Sequence, residues 1–184
     1  MTVARYVGAA ILALNVLVAG ALAQGHGGTL DKAEEWEKAG LNREWAAASQ
    51  ESDADSKVAV AHALLRTETE NQSERDGNVL KAAGLLMQAG GLYGAACGSL
   101  DRAASNWNKA AAGFHDVGLK ERERNAKESA EAARAHAVTL CERAAEAYEG
   151  AASAYDRDPG QHSRRAAGAA SKAASFREKL ATRK

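Results

Sequence analysis

The chain has 184 residues, of which 24 are Lys or Arg and 24 are Asp or Glu, so its formal net charge is zero. Its hydrophobic content of 46% is mostly alanine, and beyond residue 23 Leu, Ile, Val and Phe together form only about an eighth of the chain. So few large apolar residues are typical of disorder when the net charge is high. Because the charge is balanced and alanine is the best helix former, the composition predicts one all-α domain with a thin core.

Residues 1–23 have the pattern of a secretory signal peptide. Arg5 is the only charge, an apolar run follows, and Ala21-Leu22-Ala23 is a small-x-small cleavage site. A membrane anchor is the alternative, but the run barely reaches the ~20 residues that a bilayer span needs. We expect cleavage between Ala23 and Gln24, which gives a periplasmic or secreted domain of residues 24–184.

The mature terminus, residues 24–28, is predicted to be flexible because it is rich in glycine. With Gln24 as the free terminus, its amine, two backbone nitrogens and the imidazole of His26 can surround Cu(II) or Ni(II) in a square plane. The candidate metal residues are therefore Gln24, Gly25 and His26. A solvated tail that binds no metal is the alternative, and cyclisation of Gln24 would remove the amine. No other cofactor is predicted.

Two short helices are predicted next. The first begins near Asp31, which forms a capping box with Glu34, and ends at Gly40. Leu41, Trp45 and Ala48 give the buried face of the second. Trp36 and Trp45 are interpreted as core anchors, with a platform for a ligand such as a sugar as the alternative.

The following segments are assigned from their polarity and periodicity. A loop is predicted over 49–56, and a helix follows it around Val58, Ala61 and Leu65. Residues 67–78 are strongly polar and contain Asp76-Gly77, so they are predicted to be a flexible link.

The central part of the chain predicts antiparallel helices. A hairpin is expected between Val79–Cys97 and Leu100–Val117, with Gly118 as the stop. Alanines then recur at steps of three and four over 119–155, which predicts either one long helix or two shorter ones.

Cys97 and Cys141 are predicted to form a disulfide bond. An exported protein permits such a bond, and in the predicted packing both cysteines fall at the same level. Two separate buried thiols and a catalytic thiol are the alternatives.

The last helix, 161–184, is predicted to be amphipathic and basic. The positive residues proposed to contact an anionic surface are Arg164, Arg165, Lys172, Arg177 and Lys179. Contact of this face with anionic lipid or a cell-wall polymer is one interpretation but not the favoured one, and nucleic acid fits less well because no aromatic residues alternate with the bases. The competing interpretation pairs these bases with the acidic segment 25–76, within one molecule or between copies.

An aromatic residue followed four positions later by Gly-Leu occurs at Trp36 and Phe114, and the segment 81–159 ends in Asp158-Pro159. In these features part of the chain resembles tetratricopeptide-like helical repeats of the SNAP type, in which Asp-Pro closes a repeat. The repeat length of 34 residues is not kept, and the full signature is absent. The resemblance implies a helical-hairpin array that binds partners, and it carries over no functional residue.

Together these patterns predict an all-α protein of five to six antiparallel helices, arranged as a tetratricopeptide-like array or as a helical bundle. The sequence contains no HExxH motif and no histidine pair at i and i+4, and its five histidines are scattered. We therefore predict an exported, non-enzymatic scaffold that binds another protein or itself. The alternative is an envelope protein that binds anionic lipid or cell-wall polymer through its basic tail.

Overall fold

The computed structural model describes residues 27–157 and 159–183, and within these ranges the protein consists of helices and their connections, without a strand. The all-α prediction is confirmed, whereas the predicted count of five to six helices is not. The four helices of the described residues are α1 (Gly27–Arg66), α2 (Gln72–Asp116), α3 (Lys120–Tyr155) and α4 (Pro159–Ala181). Each helix packs mainly against the next one along the chain.

The contact between α1 and α2 joins small residues to large ones at intervals of seven. The buried residues of α1 are Ala33, Gly40, Ala47, Ala54 and Ala61. The facing row of α2 is large and also buried: Leu86, Tyr93, Leu100, Trp107 and Phe114. In antiparallel helices these two rows meet in order, so that a bulky side chain of α2 fills the space above each small residue of α1.

Gly40 shows why the small residues are needed. A Cβ atom at this position would lie only 2.9 Å from Cε2 of the Trp107 ring. The sequence assigned Gly40 as the end of a helix, but α1 continues through it because glycine lets the indole pack against the backbone. The loop predicted over 49–56 is likewise helical, since Ala54 lies in the buried row.

α2 is one uninterrupted helix of 45 residues. The hairpin predicted between Val79–Cys97 and Leu100–Val117 is therefore not formed. The flexible link predicted over 67–78 is shorter, because α2 already begins at Gln72. Its first turn is capped by Asn71, whose side chain accepts hydrogen bonds from the backbone N–H groups of Ser73 and Glu74.

Residues 117–119 turn the chain from α2 into α3. Gly118 has a φ of 76°, a left-handed conformation that glycine adopts without steric cost. Of the two alternatives for 119–155, the structure has the single helix, α3. Its alanine face packs on α2, and Tyr148 of α3 lies against Gly90 of α2, where an added Cβ would be 3.0 Å from the ring.

α4 is the shortest helix, with 23 residues, and it packs on α3. Its buried residues are Ala166, Ala169 and Ala173. Phe176 stacks on Tyr148 with ring centroids 6.0 Å apart. The same ring reaches Gly94 of α2, so α4 also touches the edge of that helix.

Candidate interaction surface

The side of α1 that faces away from α2 carries large side chains that the core does not cover. Trp45 is 79% exposed and Leu41 is 40% exposed. Lys38 and Asn42, which neighbour them on the helix surface, are also exposed. We refer to Lys38, Leu41, Asn42 and Trp45 as the outer stripe.

The outer stripe corrects the prediction that Leu41 and Trp45 anchor the core. Two faces of this segment could have been buried against α2. One carries the large residues, and the other carries alanine or glycine at every seventh position. The helix buries the small face because the facing row of α2 is already large. Trp36 lies at the edge between the two faces, 38% exposed, with the Lys109 ammonium 4.1 Å from its ring centroid.

A row of carboxylates on α1 runs beside the buried row, again at intervals of seven: Glu37, Glu44 and Glu51. Glu37 accepts a hydrogen bond of 2.6 Å from Arg122 of α3, and the same guanidinium bonds Glu34 at 2.8 Å. Arg122 also lies over the Phe114 ring, 4.2 Å from its centroid. This arginine thus joins α1 and α3 across an aromatic residue of α2.

Glu44, the middle carboxylate, is half-buried and accepts a hydrogen bond of 2.7 Å from Nε1 of Trp107. Burial raises the pKa of the Glu44 carboxyl, while the bond from Trp107 and the nearby His136 lower it in part. The indole N–H, which would otherwise be buried without an acceptor, is therefore satisfied by α1.

The third carboxylate, Glu51, belongs to a denser cluster with Asp55, Tyr93, His136 and Arg143. Arg143 donates to Glu51 at 2.8 Å, and Nε2 of His136 lies 2.9 Å from the same carboxylate. The Tyr93 hydroxyl donates to Asp55, and burial together with this carboxylate raises the pKa of the phenol above its ordinary value. A tyrosine held protonated in this way is a hydrogen-bond donor between helices rather than a base.

The predicted disulfide is consistent with the structure. The Sγ atoms of Cys97 in α2 and Cys141 in α3 lie 2.10 Å apart, with their Cα atoms 5.5 Å apart. Both residues are fully buried in the main core. The bond joins α2 to α3 and is shielded from solvent.

Three of the five basic residues proposed for an anionic surface contact other side chains of the protein, and two do not. Arg177 pairs with Glu149 of α3 through two hydrogen bonds of 3.0 and 3.1 Å, and Lys179 lies 3.5 Å from Asp101 of α2. Lys172 lies 5.3 Å from the centroid of the Tyr148 ring. Arg164 and Arg165 are exposed and form no ion pair within 27–157 and 159–183. The acids that pair with these bases, Glu149 and Asp101, lie in α3 and α2, so the predicted pairing with the acidic segment 25–76 within one molecule is not observed in the described residues.

The candidate Cu(II) or Ni(II) residues Gln24, Gly25 and His26 lie outside the described residues, as do the predicted signal peptide and its cleavage site. In the part of the chain that is described, no group of three or more His, Cys, Asp or Glu side chains could hold a metal ion. The same ranges contain no helix with both the length and the apolar composition of a membrane span.

A hollow with a volume of about 1170 Å³ lies where α1 connects to α2. Leucines from both helices form its apolar part. Arginines and acids surround the opening in equal number: Arg66, Arg75, Arg157, Glu68, Glu70 and Asp76. Its charge is therefore balanced, which gives no preference for a cationic or an anionic ligand.

Comparison of the chain with protein-family models, with curated proteins and with solved structures finds no match.

Proposed function

We propose that the protein is an exported, non-enzymatic helical scaffold that binds a protein partner through the outer stripe of α1. The observation that carries this proposal is Trp45, which is 79% exposed in a chain whose core is built mainly of alanine. Tryptophan is among the residues most enriched in the energetically dominant positions of protein interfaces. Leu41, which is also exposed, extends the apolar contact along the same helix.

The surroundings of the outer stripe support a binding role. Because α1 is held on α2 by the row of small residues and on α3 by Arg122 and Arg143, the stripe is presented by a positioned helix rather than by a loop. A binding surface on a rigid element loses little conformational entropy when a partner binds. The carboxylates Glu37, Glu44 and Glu51 of α1 are engaged with side chains of α2 and α3, which suits a structural role better than catalysis.

The alternative, contact with an anionic lipid or a cell-wall polymer through α4, has less support. Arg177 and Lys179 are paired with acids, and Lys172 is placed against Tyr148. Of the five bases, Arg164 and Arg165 lack such a contact within the described residues, and two bases attract an anionic surface less than five, since each adjacent base contributes about 1 kcal/mol. The resemblance to tetratricopeptide-like proteins and the export of the chain remain predictions that are compatible with a scaffold.

The proposal can be tested by affinity capture with a tagged copy of the protein in its own cell extract. We expect a defined partner, either an untagged copy or another protein, to be captured by the native protein and lost with Trp45→Ser. Val60→Ser is the matched control, because Val60 is an exposed apolar residue of the same helix outside the outer stripe. Neutralising Arg164, Arg165 and Lys172 should leave capture intact.

Two results would contradict the scaffold proposal. Capture that is equal for the native protein and Trp45→Ser would show that the outer stripe is not the binding surface. Sedimentation with anionic vesicles that is reversed by salt and abolished by neutralising the same three bases would favour the surface-binding alternative.

A further inference from the structure

We infer that the outer stripe binds the outer stripe of a second copy, so that two α1 helices pack antiparallel around a two-fold axis between residues 41 and 42. This inference rests on the proposal that the stripe is an interaction surface and adds the identity of its partner. The exposed residues of the stripe complement themselves when one helix is reversed.

The first complementarity joins a cation to an aromatic ring. Lys38 and Trp45 are seven residues apart, so they lie on one line of the helix surface, separated by about 10.5 Å along its axis. When a second helix is placed antiparallel with the axis between residues 41 and 42, Lys38 of each copy is level with Trp45 of the other. Each ammonium group can then lie over the face of the opposite indole.

The protein already uses this contact inside its own fold. Lys109 lies over Trp36 at 4.1 Å, and Arg122 lies over Phe114 at 4.2 Å. Within the described residues no cation covers Trp45, and Lys38 forms no ion pair. The two exposed groups are therefore both available for a contact between copies.

The second complementarity lies at the axis itself. Leu41 meets Leu41 on one side of the contact line, which makes an apolar pair. Asn42 meets Asn42 on the other side, and an amide can both donate and accept, so two identical amides can bond each other. An isologous contact requires this kind of self-complementarity, because every residue at the axis faces its own copy.

The charges that flank the stripe are compatible with the same register. The acids Asp31, Glu34 and Glu35 fall level with uncharged residues of the second copy, namely Ser52, Ser49 and Ala48 in that order. No pair of like charges is brought together along the contact. A partner of different sequence would need to supply this pattern independently, whereas a second copy supplies it by symmetry.

The contact is short compared with a standard interface of about 1,600 Å². We therefore expect a dimer whose population depends on protein concentration. The first test is the molar mass of the protein, purified after expression of the complete chain, measured by light scattering over a range of concentrations. Asn42→Asp places two carboxylates face to face at the axis and should weaken association about tenfold. Asn125→Asp, the same change at an exposed site of α3, should leave the association unchanged.

The second test locates the axis by crosslinking. Leu41→Cys places two thiols opposite each other, so oxidation should give a covalent dimer. Ala48→Cys is the control, because its two copies lie about 20 Å apart along the helix in the inferred arrangement. The buried Cys97–Cys141 bond leaves no other free thiol in the described residues.

Three results would overturn the inference. The first is a monomer at every concentration, and the second is a dimer that Asn42→Asp weakens no more than Asn125→Asp. The third is equal crosslinking of Leu41→Cys and Ala48→Cys. If the protein is monomeric but captures a different protein in a manner that depends on Trp45, the scaffold proposal stands and the self-association is excluded.

Discussion

α1 and α3 both pack their alanines against α2, but they are attached to it in different ways. α3 contributes large buried side chains, among them Leu140, Tyr148 and Tyr155, and a covalent bond from Cys141. α1 contributes only alanine and glycine to the buried row. The partly buried Leu30, Val58, Leu64 and Leu65 of α1 also pack against the core, and its carboxylates meet Arg122, Arg143 and Trp107.

The difference separates two sources of stability in a chain that has few large apolar residues. On the α3 side, apolar burial and the disulfide act together. On the α1 side, small residues fit against large ones, four large apolar residues are only partly buried, and half-buried carboxylates form hydrogen bonds, but no disulfide joins α1 to α2. We therefore expect α1 to open at a lower free energy than α3, and the outer stripe belongs to this less firmly held helix.

The largest effect is expected when the disulfide is removed. The bonded cysteines are 44 residues apart, and closing a loop of that length contributes about 4 kcal/mol through the unfolded chain. Replacing both cysteines with alanine should lower the free energy of unfolding by about this amount in denaturant titrations. Hydrogen exchange should then show that the amides of α3 are no longer better protected than those of α1. If α3 stays much better protected than α1, its apolar contacts rather than the disulfide make the difference.

Smaller changes in stability, opposite in sign, are expected when alanine replaces Gly40 or Gly84. Gly40→Ala forces a Cβ against the Trp107 ring, and overpacking of this kind costs about 1–3 kcal/mol, from which the gain in helix propensity must be subtracted. Gly84→Ala has open space around it and should stabilise α2 by about 0.5–1 kcal/mol. Thermal unfolding of the two variants provides the comparison. A stabilising Gly40→Ala would show that the seam between α1 and α2 is loose.

The smallest effect is a pH dependence that differs between the two sides of the molecule. Burial raises the pKa of Glu44 above the ordinary value of 4.5, so its folded state binds a proton more tightly than its unfolded state. The resulting stability is present below about pH 4.5 and is lost as the pH rises through the folded pKa. Glu44→Gln keeps an acceptor for Trp107 and should raise stability at pH 7, by less than about 1 kcal/mol because the group is partly solvated.

Glu149, between α3 and α4, should behave in the opposite way. The hydrogen bonds from Arg177 lower the pKa of this carboxyl, so its stabilising effect is present above pH 4.5 and is lost as the pH falls through the folded pKa. Glu149→Gln should therefore reduce stability at neutral pH and have no effect in acid. Equal pH profiles for the two variants would contradict the assignment of burial to one carboxyl and ion pairing to the other.

The sequence predicted the all-α fold class, because helix formation depends on local composition. It also predicted the cysteine pair, because that pair depends on how far along its helix each cysteine lies. Cys97 and Cys141 reach the same level by a route that differs from the predicted one. α2 runs on to Asp116 and α3 returns beside it, so the two cysteines lie at similar distances from the turn at 117–119.

The ends of the helices were predicted less accurately, because glycine can either end a helix or allow close packing within one. Only tertiary contacts distinguish these two roles. At Gly118 it allows a left-handed turn, as expected. At Gly40 and Gly90 it makes room for Trp107 and Tyr148 inside continuous helices. Trp45 was predicted to lie in the core because its side chain is large and apolar. The large residues of α2 require small residues on the facing side of α1, so Trp45 lies on the exposed side. A search for small residues every seven positions would have identified the buried face of α1.

The strict spacing of seven residues in α1 and α2 has a geometric consequence for any assembly of this protein. A straight α-helix falls behind a seven-residue repeat by about 20° per repeat, which is roughly 80° over the four repeats from Ala33 to Ala61. The two helices can keep their rows in register only by winding around each other with a left-handed supercoil. A molecule that binds along the whole of α1 would have to follow this winding, so straight rods can touch it over no more than a few turns.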